Sequence, residues 1–95
     1  MDWAVCIDWD GPLTDDIADR LVAALHRQSA AVGTTPDGLA TVQMTLAAED
    51  AAMAAIEGRR TLWEALQAAP WIHRIAVMPF TEFERAGMIG PGMTT

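Results

Sequence analysis

The chain has 95 residues, 52% of them hydrophobic, and this combination predicts a single folded domain and argues against disorder. The formal net charge of −7 disfavours direct nucleic-acid binding, because an acidic surface repels phosphate backbones. No apolar run reaches the roughly 20 residues of a membrane span, the start is acidic, unlike a signal peptide, and the single cysteine excludes an intrachain disulfide. A cytoplasmic location is therefore predicted.

The N-terminal part of the chain predicts a strand followed by a helix. Apolar residues alternate with smaller or polar ones over residues 3–9, which is the period of a strand with one buried face. Gly11 and Pro12 end that strand. Thr14 is a suitable N-cap, and the acids that follow it suit the start of a helix. An apolar stripe at helical spacing then continues to about Gln28.

The stretch over residues 29–49 predicts two short strands joined by a turn. Thr35-Pro36-Asp37-Gly38 has proline and glycine where a turn needs them. The strand before the turn is short and contains Gly33, so it is predicted to lie at an edge of the sheet. The strand after it alternates clearly between apolar and polar residues.

The C-terminal half predicts a second helix and a last strand. Asp50 can cap the helix, and Pro70 ends it. Gly58 interrupts the apolar stripe and predicts a kink or short break. The stripe itself is predicted to consist of Met53, Ile56, Trp63 and Leu66. The last strand covers residues 71–80, a helical turn follows at residues 81–84, and a mobile tail occupies residues 88–95.

The order strand, helix, strand, strand, helix, strand is that of the ferredoxin-like βαββαβ plan. We therefore predict an α+β domain over residues 1–87, with an antiparallel sheet and both helices on one face. Ile7, Met44 and Val77 would face the core. The opposite face, called the open face below, would carry Cys6, Asp8, Gln43, Thr45, Arg74, Ala76 and Met78.

The segment "AVCIDWDGPLTDD" resembles the first motif of haloacid-dehalogenase-type phosphatases. The resemblance implies a nucleophile at Asp8 and a general acid at Asp10, with Mg²⁺ between substrate and carboxylates. The family also uses a basic residue on the phosphoryl group and a later acidic pair. This chain contains no lysine, and it has Pro12 where the family usually has threonine or valine. Phosphotransfer at Asp8 and Asp10 is therefore one alternative.

The four tryptophans and His73 leave a second alternative open. By analogy of fold, small dimeric α+β barrels hold haem or another small molecule between sheet and helices. His26, His73 and the one cysteine have no zinc-site spacing, so no metal ligand, catalytic residue or cofactor is assigned.

The run over residues 3–80 resembles a ferredoxin-like module of small actinobacterial and mycobacteriophage proteins of unassigned function. Asp10-Gly11-Pro12-Leu13-Thr14-Asp15 and the Pro36-Asp37-Gly38 turn carry the likeness. We predict a small non-enzymatic interaction module, which acts on a host protein or self-associates as a dimer through its open face. The predicted binding residues on the open face are Gln43, Thr45, Arg74 and Met78.

Overall fold

A computed structural model of the protein describes residues 1–83. The fold is α+β, with one antiparallel sheet of four strands packed against helices. The elements are β1 (Asp2–Trp9), α1 (Asp15–Ala24), a 3-10 helix (His26–Gln28), β2 (Ala31–Thr34), β3 (Ala40–Ala47), α2 (Ala51–Leu66) and β4 (Ile72–Pro79). This order is compatible with the predicted plan, to which the 3-10 helix is an addition. The predicted domain end at residue 87 and the tail at residues 88–95 lie outside the described residues.

Both helix starts have the predicted side-chain caps. The Ile17 amide donates to Thr14 Oγ1 at 3.2 Å, and the Met53 amide donates to Asp50 Oδ1 at 2.8 Å. Each cap satisfies an amide that has no partner within its own helix. None of the helices within residues 1–83 combines the length and the apolar character that crossing a membrane requires.

Helix α1 is shorter than its apolar stripe predicts. The regular helix ends at Ala24, and the chain tightens into the 3-10 turn instead of continuing as α-helix to Gln28. Ser29 then adopts a left-handed conformation with φ of 52°, which turns the chain toward β2. Leu21 within α1 and Leu25 directly after it are both buried.

The sheet has the strand order β2-β3-β1-β4, with β1 in the interior between β3 and β4. Val5 is paired with Met44 of β3 and with Val77 of β4, so apolar side chains from three strands share one face. The helices pack on this face. Ile7 and Met44 are buried in the core and Val77 packs against it, as predicted. The buried core consists of Val5, Ile7, Trp9, Leu21, Leu25, Ala40, Val42, Met44, Ala54 and Leu62.

Two expectations for α2 are wrong. The helix continues through Gly58 without the predicted kink or break. Its buried residues are Ala54, Gly58 and Leu62, whereas Met53 and Ile56 of the predicted stripe are 43% and 49% exposed. The cause is a close approach to the sheet: a Cβ built on Gly58 would lie 2.8 Å from Cγ1 of Val5. The smallest residues therefore face β1.

Strand β4 lies at the sheet edge and contains an irregularity. Asp8 pairs with Arg74 but Trp9 pairs with Ile72, so the register shifts and His73 has no partner in β1. The predicted helical turn after this strand is present over residues 80–83, and its last predicted residue, Glu84, is outside the described part of the chain.

Candidate functional site: the open face of the sheet

The open face lies opposite α1 and α2, and the strand register brings its predicted residues together. Three residues of β1 on this face are each flanked by one residue of β3 and one of β4. The three rows are Thr45–Ala4–Met78, Gln43–Cys6–Ala76 and Thr41–Asp8–Arg74.

All four predicted binding residues therefore lie on one surface. Gln43 and Arg74 are exposed, whereas Thr45 and Met78 are half-buried. Their position follows from the period of two, which puts alternate residues of a strand on the same face. Whether they bind a partner stays a prediction.

An ion pair marks one end of the open face. Asp8 is only 5% exposed, and Arg74 Nη2 donates a hydrogen bond of 2.6 Å to its Oδ2. The Arg74 side chain is itself 72% exposed, so one side of its guanidinium remains available to another molecule. A carboxylate this well buried needs such a partner, because removing a charge from water is costly.

A polar groove of about 330 Å³ adjoins this ion pair. The turn between β2 and β3 forms one wall, and the start of β4 forms the other. At its rim, Nε2 of His73 lies 3.6 Å from Oδ1 of Asp10. The lining residues are Asp8, Thr35, Pro36, Asp37, Leu39, His73 and Arg74. The sequence did not predict that the β2–β3 turn and Asp8 line the same groove. Their proximity depends on how the β2–β3 hairpin is placed beside the ends of β1 and β4.

The turn that forms this wall is held by its own backbone and side-chain bonds. The Thr35 amide donates to the Leu39 carbonyl at 2.8 Å, and the Leu39 amide donates to Thr35 Oγ1 at 3.0 Å. Gly38 has φ of 86°, a conformation that a glycine adopts without strain. The groove therefore has a wall with a defined shape.

Cys6 lies at the centre of the open face with a raised pKa. Desolvation by burial is the main cause, the Asp8 carboxylate raises the pKa further, and the Arg74 guanidinium lowers it. The thiol is therefore mostly protonated at neutral pH, when it is a poor nucleophile. The neutral Cys6 thiol makes its full contribution to the free energy of unfolding below the pKa that the thiol has in the unfolded chain. That contribution is lost as pH rises through the higher pKa that the thiol has in the folded protein.

We expect Asp8→Asn to lower the pKa of Cys6 and to speed its alkylation at neutral pH, because the neighbouring negative charge is removed. Rates of iodoacetamide labelling against pH measure this pKa directly, since the chain has no other thiol. Asp37→Asn is the matched control, because Asp37 lines the groove but does not affect the thiol. Equal labelling profiles for the two variants would contradict the assigned cause.

The carboxylates of the phosphatase-like motif differ in environment. Asp8 is buried and paired with Arg74, whereas the Asp10 side chain is 70% exposed beside His73. No group of three or more histidine, cysteine, aspartate or glutamate side chains within residues 1–83 is arranged to hold a metal ion. Nothing in this geometry adds support to phosphotransfer.

The tryptophans do not converge on one pocket. Trp9 is buried in the core, and Trp3 donates its indole N–H to the Ala48 carbonyl at 3.1 Å. Trp63 and Trp71 instead line a groove beside β4 whose lining residues do not include His73. A haem pocket that uses both tryptophan and histidine gains no support from this arrangement.

No protein-family model matches this chain, and no curated protein matches it significantly.

Proposed function

We propose that this protein is a small non-enzymatic interaction module of the ferredoxin-like type, and that it self-associates through the open face as a homodimer. The observation that carries the proposal is the composition of that face. On β1 and β4 it holds three small residues, Ala4, Cys6 and Ala76, beside longer ones at Gln43, Met78 and Arg74. Small side chains let a second sheet approach to the usual distance of about 10 Å.

The distribution of charge supports contact between two copies. The chain has a net charge of −7, so most pairs of surfaces would repel each other. On the open face, however, Asp8 and Arg74 offset each other as an ion pair. The acids of α1 lie on the other side of the sheet, because α1 packs on the opposite face. The charges within the three rows therefore cancel, and Asp2 at the outer end of β1 is the acid that remains on this side of the strand.

The area of the open face sets the expected strength of the dimer. Three strands of eight residues and one of four, about 4.8 Å apart and at about 3.4 Å per residue, outline roughly 450 Å². Stable interfaces bury about 800 Å² on each partner, so this surface supports a weak, concentration-dependent dimer. The exposed Gln43 and Arg74 side chains would supply polar contacts, Gln43 near the centre of the face and Arg74 at its edge.

We expect Ala76→Glu to dissociate the dimer. Ala76 is exposed in the central row, and a two-fold axis would bring two new carboxylates close together in a partly desolvated contact. The dissociation constant should rise by about tenfold or more, which corresponds to about 1.4 kcal/mol. Sedimentation equilibrium over a wide concentration range measures it.

Ala52→Glu is the matched control for this variant, because it adds the same charge on the exposed surface of α2. Slower alkylation of Cys6 as protein concentration rises would show independently that the open face is covered. A wild-type chain that stays monomeric throughout would contradict self-association. Equal dissociation of both variants would contradict its placement on the open face.

A further inference from the structure

A second groove, of about 440 Å³, lies on the helix-covered side of the sheet edge. It runs between the C-terminal half of α2 and β4, and the loop at residues 67–71 closes one end. Its lining residues are Arg59, Trp63, Ala69, Pro70, Trp71, Ile72 and Ile75. Its volume falls within the range of about 300–1,000 Å³ that is typical of small-molecule sites.

The groove has one cationic group, and its geometry favours an anion. The Arg59 guanidinium carbon lies 5.1 Å from the centroid of the Trp63 ring. Stacking of this kind uses the face of the guanidinium and leaves its N–H groups, which lie in the plane, free to donate. Within residues 1–83 no carboxylate forms an ion pair with Arg59, whereas its neighbour Arg60 is paired with Glu57.

Two indole groups add to the recognition surface. The Nε1 atom of Trp63 is buried and has no hydrogen-bond partner among the described protein groups. Because this nitrogen is closed to solvent, Trp63 contributes the face of its ring, on which Arg59 is stacked, and not its N–H group. Trp71 is 73% exposed at the rim, where a large aromatic side chain can stack on a planar ring.

We propose that this groove binds a small planar aromatic carboxylate. The ring of the ligand lies against Trp71 and the apolar wall formed by Ile72 and Ile75, and its carboxylate accepts paired hydrogen bonds from Arg59. Ile75 is paired with the core residue Ile7, so the groove and the open face lie on opposite sides of the sheet. This site is therefore independent of the proposed dimer contact.

The test uses 2-naphthoate as the probe and 2-naphthamide as its neutral analogue. Titrations of the full chain are followed by the indole N–H resonances of the four tryptophans. We expect saturable shifts at Trp63 and Trp71, with small changes at Trp3 and Trp9. The dissociation constant of 2-naphthamide should be higher than that of 2-naphthoate by about tenfold or more, because the amide lacks the negative charge that pairs with Arg59.

Arg59→Gln should weaken naphthoate binding by about tenfold or more, and Arg60→Gln should leave it unchanged. Both arginines are exposed on the same helix, so neither variant is expected to unfold the chain. Trp71→Ala, also at an exposed position, should reduce the affinity for acid and amide alike. Repeating the titration in Ala76→Glu separates this site from self-association.

Three results would overturn the proposal: no saturable shift, equal affinity of Arg59→Gln and Arg60→Gln, or shifts centred on Trp3 and Trp9.

Discussion

Leu62→Ala is expected to lower the free energy of unfolding by about 2–5 kcal/mol, the usual cost of truncating a buried leucine. Leu62 is fully buried and joins α2 to the core. A domain of this size has about 5–15 kcal/mol of stability in total, so the loss is a large part of it. Ile56→Ala on the same helix should cost far less, because Ile56 is 49% exposed.

Urea unfolding followed by circular dichroism compares the two variants. The midpoint should fall strongly for Leu62→Ala and only slightly for Ile56→Ala, with similar slopes for both. The comparison is informative because both residues are large and aliphatic and lie in one helix. Equal losses would contradict the assignment of Leu62 to the buried side of α2 and of Ile56 to its exposed side.

Gly58→Leu is expected to destabilise the fold by about 3 kcal/mol, although leucine is the better helix former. Even a single carbon at this position would lie 2.8 Å from Cγ1 of Val5 and 3.5 Å from Cδ1 of Leu46. Val5 cannot easily move away, because it is fully buried and its branched side chain has few rotamers. The helix must therefore shift from the sheet or lose contacts.

A matched variant and a double mutant test this explanation by thermal and urea unfolding. Ala52→Leu places the same side chain on the exposed surface of α2 and should be nearly neutral. Val5→Ala combined with Gly58→Leu should be less destabilised than the sum of the single changes, because the removed methyl groups provide space. Additive losses would mean that the contact between α2 and β1 is not the cause.

The limits of the sequence prediction are clearest in α2. Its N-cap and approximate extent were predictable, because Asp50 and Pro70 carry local signals, whereas the left-handed C-cap at Gln67 was not predicted. Its buried face was not, because apolar periodicity favoured the large residues Met53 and Ile56. Close packing against β1 instead selects Ala54 and Gly58, so small size, not hydrophobicity, decides which side faces inward.

The open face was largely predictable and the two grooves were not. Alternation along a strand assigns Gln43 and Arg74 to a face as soon as the core side is known. The groove at Asp8 instead depends on the turn at residues 35–39 and on the register shift beside His73. The Arg59 groove joins residues from α2, a loop and β4. Such contacts between distant segments leave no periodic signal in the chain.

The interior position of β1 has a consequence for how the protein is made. Among the described elements this strand is translated before the others, whereas one of its two neighbours, β4, is translated only after α2. At about 5–20 residues per second, several seconds pass before β4 has been made and can pair with the edge of β1. Pairings between distant segments also slow folding itself. During that interval the nascent chain exposes the strand that is most completely buried in the folded domain, which makes β1 the natural target for a ribosome-associated chaperone.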